Sequence, residues 1–380
     1  MKKLSIVITL LLFTSSAFAA DEPLLPKFSG YYKNLFTSSR TLSTKEHYYA
    51  DLNRLRLQAD KQFNDTVSAR VIYDNEILAN DFSGTSDFDL VRQKNQKDLA
   101  FWDAEKTITD RRHMYWKNLV YRAYVKYYSP TFQAIAGKQA IDWSRMRFYH
   151  PFDLFNPVSP LDLEKDEKIG VDAVNLELTP LDFSSINIIF APYKNSSRQS
   201  AGLKLTQKIG DYDLSLIGAR HYKSTVAGAG FDGYIKEAGF RGELTFTRKH
   251  DNKEFIRSVI GLDHNFTPKL YAAAEYFYNG GAENDPGEFL NSYEFSRQAM
   301  SMKKHILGTG VEYELTGITK LAHYIFYDFE GRSFFFNPEL KHNLFTNVDL
   351  LLGTQLFTGN DTSEFGNYHA LYYAEVKAFF

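Results

Sequence analysis

Residues 119–127 read Leu-Val-Tyr-Arg-Ala-Tyr-Val-Lys-Tyr, and their hydrophobicity alternates with a period of two. Successive side chains of a β-strand point to opposite faces of a sheet, so this alternation predicts a strand with one apolar and one polar face. The apolar face would carry Leu119, Tyr121, Ala123, Val125 and Tyr127, and the polar face Arg122, Tyr124 and Lys126. Such a strand separates an apolar environment from a polar one.

The same alternation recurs along the chain in segments of about ten residues. Tilted strands that span a membrane need about 9 to 11 residues, whereas a globular strand usually has about 5 to 6. Segment length therefore favours a transmembrane barrel over a soluble sandwich or barrel. The candidate strands lie near 27–37, 54–59, 67–74, 119–127, 132–139, 171–178, 183–190, 201–208, 211–222, 238–246, 254–264, 269–278, 304–315, 319–328, 333–340, 344–357 and 369–380.

Aromatic residues make up 16% of the chain and gather at the ends of these segments. Tyr31-Tyr32, Tyr127-Tyr128 and Phe334-Phe335-Phe336 are examples. Aromatic girdles mark both membrane interfaces of outer-membrane barrels, whereas a soluble sandwich would place these rings at the centre of its core. We therefore predict an all-β fold, a transmembrane antiparallel β-barrel.

The number of strands is constrained by closure, because a bacterial barrel with both termini on one side needs an even number. The 17 candidates are odd in number, so one assignment must be wrong. We expect 16 strands, with 14 or 18 as alternatives, and place the error in 223–253 or at 333–340. Gly228 to Gly233 is interpreted as a turn cluster.

The first 19 residues predict a cleaved secretory signal peptide. Two lysines precede an apolar run at 4–13, and Ala17-Phe18-Ala19 matches the small-x-small pattern of a cleavage site. Cleavage removes two lysines, so the formal net charge changes from −2 to about −4. The mature chain, 20–380, would form one exported barrel.

The predicted connections alternate between short turns and long polar loops, as in outer-membrane barrels. Ile209-Gly210-Asp211 and Thr316-Gly317-Ile318 are typical of tight turns. The long loops would lie near 79–116, 142–170 and 279–303. The chain ends in an amphipathic segment whose last residue is Phe380. A final strand of this kind resembles the signal by which outer-membrane barrels are recognised by the barrel-assembly machinery.

Composition excludes several kinds of site. The chain has no cysteine, which excludes disulfides, thiolate metal sites and covalently attached c-type haem. Its 44 basic and 46 acidic residues give no global bias toward nucleic acid. The ten histidines form no His-Glu-x-x-His motif, so we expect no metal and no cofactor. No local signature marks a catalytic site, so we expect a protein without enzymatic activity.

The polar positions of the strands would face the lumen of a barrel and line its pore. The earlier strands contribute mostly basic residues and the later ones mostly acidic residues. A basic wall would then confront an acidic one and orient charged solutes, unless the charges are simply solvated. The predicted pore-lining basic residues are Arg54, Arg56, Arg70, Arg122, Lys126 and Lys204, and the acidic ones are Glu243, Glu275, Glu312 and Glu314.

The loop near 142–170 is the second candidate site. It carries charges of both signs and is stiffened by three prolines. A rigid loop of this length would either enter the lumen and form its constriction or close over the outside as a lid. Its candidate residues are Trp143, Arg145, Arg147, Asp153, Phe155 and Asn156.

Two short stretches resemble a known family. Gly137-Lys138-Gln139 lies four residues before Trp143, and Asp153-Leu154-Phe155-Asn156-Pro157 follows. This pattern resembles a family of porin-like Gram-negative outer-membrane proteins, in which Gly-Arg-Gln precedes Trp-Gly and Asp-Leu-Phe-Asn-Pro. The likeness covers about 40 residues. Lys138 stands where the family usually has Arg, and Ser144 where it usually has Gly. The resemblance implies a pore and leaves its solute open.

The sequence thus predicts a water-filled channel in the outer membrane of a Gram-negative bacterium, through which small polar or charged solutes diffuse passively. Its surroundings would be outer-membrane lipid, with a homo-oligomer or a cytochrome as a further partner and no nucleic acid. Two alternatives stay open. The barrel could be a sheath or structural partner of a periplasmic or outer-membrane electron-transfer cytochrome, or it could be a barrel hydrolase.

Overall fold

A computed structural model describes residues 25–89, 101–164, 168, 170–283 and 300–380. The predicted signal peptide at 1–19 lies outside these residues. Two 3-10 helices cover Asp81–Gly84 and Ser196–Arg198. Among the described residues, no helix is both long enough and apolar enough to cross a membrane. The strands are β1 Lys27–Arg40, β2 His47–Gln62, β3 Val67–Ala79, β4 Glu105–Arg111, β5 Met114–Ser129, β6 Phe132–Gln139, β7 Val171–Leu178, β8 Ser184–Ala191, β9 Ser200–Ile209, β10 Tyr212–His221, β11 Ser224–Ile235, β12 Ala238–Arg248, β13 Glu254–Thr267, β14 Leu270–Asn279, β15 His305–Thr316, β16 Thr319–Asp328, β17 Ser333–Phe345, β18 Val348–Thr358 and β19 Leu371–Phe379.

These strands form a closed antiparallel barrel. Each wall strand pairs with its neighbours in sequence, and β1 closes the ring by pairing with β19. β4 is an extra strand inside the loop between β3 and β5, and it pairs with the part of β5 that lies beyond β6. The wall therefore has 18 strands, which is one of the two alternatives and not the expected 16.

The strand that sequence analysis omitted is β11, in the doubtful region 223–253. The interpretation of Gly228 to Gly233 as a turn cluster is wrong, because these residues lie within β11. Their small size has a packing reason: a Cβ atom built on Gly230 would lie 3.0 Å from the ring of Phe152. Glycine and alanine make room for that ring and also remove the apolar alternation. The other doubtful segment, 333–340, is part of a true strand, β17.

A bulge in β5 interrupts the alternation of apolar and polar residues at 119–127 from which the barrel was predicted. The register between β3 and β5 pairs Ile72 with Arg122 and Tyr73 with Val120, which leaves Tyr121 as an extra residue. Tyr121 and Arg122 both point into the barrel, where each donates a hydrogen bond to the backbone oxygen of Lys168. A bulge re-aims side chains in this way, so strict alternation holds only after Arg122.

The two ends of the barrel differ. Eight short connections and both ends of the described chain lie at one end, here called the turn end. The opposite end, here called the loop end, carries the long connections 80–113, 140–170, 280–304 and 359–370. Phe380 lies at the turn end, where its backbone exchanges two hydrogen bonds with Gly30, at 2.9 and 3.0 Å.

The outer face of the wall is apolar and the inner face is polar. Leu57, Val125 and Ile260 are between 44% and 51% exposed on the outside. Arg54, Asp74 and many other polar side chains point inward and are buried. This is the reverse of a soluble barrel, whose apolar side chains are hidden in the interior.

Candidate functional site

The connection 140–170, here called the inner loop, turns into the barrel. Of its residues, 165–167 and 169 lie outside the described part of the chain. It contacts the inner wall at β8 and β9, at β12 to β14, at β16 and β18, and finally at β1, β2 and β5. Of the two positions that sequence analysis left open, lumen or external lid, the described residues occupy the lumen.

Asp153 organises the beginning of the inner loop. One carboxylate oxygen accepts hydrogen bonds from the backbone N–H groups of Trp143 and Ser144, both at 2.8 Å. The other accepts a hydrogen bond from Nζ of Lys168 at 2.8 Å. Burial lowers the pKa of Lys168, but the carboxylates of Asp153 and Asp142 outweigh it and raise that pKa above its usual value. The ammonium group therefore stays charged and ties the end of the loop to its beginning.

Trp143 attaches the loop to β8 through its ring and to β9 through its backbone. Its Nε1–H donates to Oδ1 of Asn187 at 2.8 Å, and its backbone oxygen accepts from Nζ of Lys204 at 2.6 Å. The ring of Phe155 packs edge-on against it, with centroids 5.3 Å apart. Asn156 closes this segment by accepting a hydrogen bond from the backbone N–H of Ile141 at 2.8 Å. The predicted loop residues here thus form a packed anchor.

Glu243 on β12 is the next anchor. Its carboxylate accepts hydrogen bonds from Oγ of Ser144 at 2.7 Å, from the backbone N–H of Arg145 at 2.9 Å and from that of Phe152 at 3.1 Å. A buried carboxylate needs such donors, because an unpaired charge in a protein interior is costly. Glu243 therefore holds the loop instead of facing open water.

Glu275 on β14 has the same role one stretch further along. It accepts hydrogen bonds from the backbone N–H groups of Arg147 at 2.5 Å and Phe148 at 2.9 Å. The Arg147 side chain reaches β13, where its Nη2 lies 3.2 Å from Oδ2 of Asp263. Both of these acidic wall residues thus bind the loop backbone.

Aromatic rings fill the space behind this second anchor. Tyr149 stacks on Phe277 of β14 with centroids 4.3 Å apart, and Phe148 packs edge-on against Phe326 of β16 at 5.3 Å. All four rings are buried, and they belong to one apolar cluster with Met146. These rings were not among the predicted site residues, although Phe148 and Tyr149 belong to an aromatic-rich stretch at 148–155.

The far end of the inner loop reaches the opposite wall. Nη1 and Nη2 of Arg54 on β2 donate to the two carboxylate oxygens of Glu164 at 2.6 and 3.2 Å, and Lys33 of β1 contacts the same carboxylate. Between these anchors, Gln355 of β18 donates to the backbone oxygen of Leu161 at 2.9 Å. Because β2 and β12 stand nine strands apart in an 18-strand ring, the loop spans the full width of the lumen.

Arg54 and Arg56 on β2 are paired with carboxylates, which was not predicted from the sequence. Arg54 Nε lies 2.5 Å from Glu76, and Arg56 donates two hydrogen bonds of 2.6 Å to Asp74. The guanidinium of Arg56 also lies 3.9 Å from the ring centroid of Tyr121. The expected basic wall is thus neutralised at Arg54 and Arg56, since the partner carboxylates alternate with the same period on β3.

The remaining predicted pore residues are spread through the barrel. Arg70 pairs with Asp60 at 2.5 Å, and Lys126 lies over the ring of Tyr128, 5.7 Å from its centroid. Glu312 accepts a hydrogen bond from the hydroxyl of Tyr324 at 3.2 Å, and Glu312 and Glu314 line a cavity at the turn end. These residues do not converge on one site.

The inner loop divides the lumen into separate cavities. A cavity of about 750 Å³ lies toward the turn end, beside Arg147 and Glu312. A smaller one of about 240 Å³ lies beside Arg145 and Lys204. A third, of about 630 Å³, opens at the loop end. Ser159 and Pro160 line both the first and the third cavity, so they stand at the partition between the two ends.

Two arrangements that could carry chemistry were sought among the described residues, a metal site and a serine–histidine pair. These residues contain no group of three or more His, Asp or Glu side chains placed to hold a metal ion. Ser200 Oγ lies 2.9 Å from Nδ1 of His221, but both residues are buried, and the ring of Phe155 packs 5.7 Å from the imidazole. A solute in the lumen would not reach this serine.

Similar folds occur among solved structures of outer-membrane proteins. OpdK from Pseudomonas aeruginosa has a TM-score of 0.56 at 8% identity, over 93% of this chain and 98% of that one. OccAB3 from Acinetobacter baumannii has a TM-score of 0.54 at 12% identity, over 93% and 99%. OccK3 from Pseudomonas aeruginosa has 0.56 at 11%, over 93% and 95%. No protein-family model and no curated protein matches the sequence. At these identities the likeness establishes the fold alone.

Proposed function

We propose that this protein is a passive channel in the outer membrane of a Gram-negative bacterium, exported with a signal peptide at 1–19. An apolar outer wall with aromatic residues near both rims supports a transmembrane setting. The likeness of the fold to outer-membrane proteins from two bacteria supports the same location. The resemblance of Gly137 to Pro157 to a porin-like family agrees with this reading.

The observation that carries the proposal is the partition at Ser159 and Pro160. Cavities of about 630 and 750 Å³ meet at these two residues from opposite ends of the barrel. A barrel of 18 strands is wide enough to contain water unless something fills it, and here the inner loop does so in part. A solute that crosses the barrel would therefore pass between the inner loop and the wall.

The inner loop is held rigidly enough to act as a size filter. Glu243 and Glu275 anchor it on one side through backbone donors, and Arg54 anchors it on the opposite side through Glu164. Charge-assisted hydrogen bonds of this kind are the stronger ones in proteins. The width of the passage is thus set by fixed contacts and admits small polar or charged solutes.

The loop-end cavity also offers aromatic surface to a solute. Tyr48, Phe82 and Tyr368 line it, and Arg40 and His369 stand among them. OpdK from Pseudomonas aeruginosa has been solved with vanillate, and that structure has a TM-score of 0.55 at 10% identity, over 93% of this chain and 98% of that one. An aromatic carboxylate such as vanillate is accordingly a useful probe beside sugars, amino acids and simple ions.

The test is conductance of the purified mature protein in planar bilayers, with solute entry measured by liposome swelling. Ser159→Trp should lower single-channel conductance and slow the entry of the larger solutes, because it places an indole at the partition. The matched control is Ser196→Trp, at an exposed position in the 3-10 helix Ser196–Arg198 and outside the described cavities. Equal conductance in both variants, or no conductance in the unmodified protein, would contradict the proposal.

A further inference from the structure

A polar patch interrupts the apolar outer face of the barrel. It lies on β1, β2, β3 and β5, which are neighbours in the wall. On β1, β2 and β3, Lys33, Arg54 and Asp74 point inward, and the residues that precede and follow each of them in its strand point outward. The outward patch, here called the amide patch, consists of Asn34, Asp51, Asn53, Asn75 and Asn118.

Hydrogen bonds connect the amide patch in two groups, one on β1 and β2 and one on β3 and β5. Asn34 Nδ2 donates to Oδ1 of Asp51 at 2.5 Å and to Oδ1 of Asn53 at 3.1 Å, and Asn53 Nδ2 donates to Oδ1 of Asp51 at 3.2 Å. The hydroxyl of Tyr32 donates to Asn53 at 2.5 Å. On the next pair of strands, Asn75 Nδ2 donates to Oδ1 of Asn118 at 2.5 Å.

The patch begins at the loop-end aromatic rim, where Asp51 pairs with Phe36, and extends inward from it along the wall. Toward the loop end, Phe36 and Tyr49 stack on each other with centroids 5.8 Å apart. Toward the turn end, the outer face carries Phe28, Tyr127 and Phe380, all well exposed. The ladder pairs Asn34 with Asn53 and Asn75 with Asn118, each one step inside the loop-end rim.

Lipid is a poor neighbour for these groups. Hydrocarbon offers no hydrogen-bond partner, so polar side chains at this depth are disfavoured unless protein surrounds them. Elsewhere the outward positions of the wall carry aliphatic side chains, for example on β9, β10 and β13. These include Leu203, Leu205, Leu214, Leu216, Ile260 and Leu262, each between 39% and 58% exposed. A concentration of four amides and one carboxylate on adjacent strands therefore needs a protein neighbour.

We propose that the amide patch is the interface with a second copy of this chain, patch against patch across a two-fold axis. An amide group both donates and accepts hydrogen bonds, so a patch of asparagines is complementary to itself. A two-fold interface requires this property, because the same surface is presented by both subunits. A patch that binds a different protein would more naturally carry charges of one sign, to be matched by opposite charges on that protein. Here the one carboxylate, Asp51, is already bound by two amides of its own chain.

The contact would be held by hydrogen bonds between polar side chains, as contacts between membrane-spanning segments are. Side-chain amides hydrogen-bond across such interfaces because lipid cannot satisfy them. Asp51 retains acceptor capacity for donors of the second copy, since a carboxylate can accept about four hydrogen bonds. The lumen and the inner loop lie on the inner face of the same strands, so each copy keeps its own passage.

The test exploits the absence of cysteine from the chain. Asn53→Cys and Asn75→Cys, made singly, place a thiol in the patch. The matched control is Ala227→Cys, outward on β11 and half-way around the wall. A short bis-maleimide added to intact outer membranes should give a cross-linked pair of double mass with the patch variants and none with the control. A pair formed equally by Ala227→Cys, or by no variant, would overturn the proposal.

A second measurement does not depend on cross-linking. Asn34→Leu, Asp51→Leu and Asn53→Leu together convert the patch to an apolar surface. If the patch is an interface, the mass of the detergent-solubilised protein should fall from two chains to one, while the barrel keeps its resistance to denaturation in unheated gels. If the unmodified protein is already a single chain, or if it binds a different protein through this patch, the proposal is wrong.

Discussion

Arg54 on β2 donates two hydrogen bonds to the carboxylate of Glu164, at 2.6 Å from Nη1 and 3.2 Å from Nη2. The two residues are 110 positions apart in the chain, and the contact fastens the inner loop to the wall opposite Glu243. Without it, the loop would keep its contacts along β8 to β18, and its end would be held by Lys33 of β1 and by Tyr121 and Arg122 of β5. Its far end would then be less constrained across the lumen.

Glu164→Gln should therefore change both the size and the charge of the passage. The neutral amide cannot balance Lys33 and Arg54, so the reversal potential in asymmetric salt should shift toward anions, and the conductance should rise. Glu46→Gln, at an exposed position in the loop between β1 and β2, is the control. An unchanged reversal potential would show that these two cations do not face the permeant ions.

Glu275→Gln should loosen the middle of the inner loop. A glutamine has one acceptor oxygen and presents an NH₂ group to backbone donors, so at least one of the bonds to Arg147 and Phe148 is lost. Hydrogen bonds to charged groups contribute about 1.5–3 kcal/mol. Hydrogen exchange at the amides of 147–149 should become about tenfold faster or more, since 1.4 kcal/mol corresponds to a factor of ten.

The control for that experiment is Glu312→Gln. Glu312 faces the lumen and accepts a hydrogen bond from Tyr324, but it makes none to the inner-loop residues that the structure describes. Exchange at 147–149 should be the same as in the unmodified protein. Equal acceleration in the two variants would show that the effect comes from the lumen charge and not from the anchor.

Gly230→Val tests the packing of Phe152 against the wall. A Cβ on Gly230 would lie 3.0 Å from both the Phe152 ring and the backbone oxygen of Gly242, so the ring must move. Overpacking of this kind costs about 1–3 kcal/mol. We expect a lower melting temperature and easier proteolysis of the inner loop. Gly218→Val, where a Cβ meets nothing within 4 Å, should leave both unchanged.

Glu364 makes the packing of the connection 359–370 against Met302 and Lys303 sensitive to pH. Its carboxyl in the connection 359–370 accepts hydrogen bonds from the backbone N–H groups of Met302 at 2.7 Å and Lys303 at 2.9 Å. Burial raises its pKa to about 8, and nearby Asp328 acts in the same direction. When the connection 359–370 is packed against Met302 and Lys303, the Glu364 carboxyl holds its proton more tightly than it would in a detached connection. The packing is therefore strongest below about pH 4.5 and weakens as the pH rises toward 8.

Hydrogen exchange at Met302 and Lys303 measures this effect after correction for the intrinsic exchange rate. Protection should fall between pH 5 and 8 in the unmodified protein. Glu364→Gln cannot ionise and should show protection that does not depend on pH. A parallel decline in both proteins would assign the pH dependence to another group.

The architecture was accessible from the sequence because alternation of apolar and polar residues is a local property of each strand. It predicted the barrel and marked a candidate segment in 17 of its 18 wall strands, although the expected number was 16. It failed at β11, where glycine and alanine replace large residues. The reason lies elsewhere in the chain, in the ring of Phe152.

The site was less accessible. The sequence by itself marked the inner loop, through its Trp143 and its Asp153 to Pro157 stretch, and marked Arg54, Glu243 and Glu275 as inward residues. Only the tertiary structure decided that these residues bind the loop instead of lining open water. The partners of an inward charge depend on which strands closure brings opposite one another and on where a long loop docks. Those are contacts between residues a hundred positions apart, and a pattern with a period of two carries no information about them.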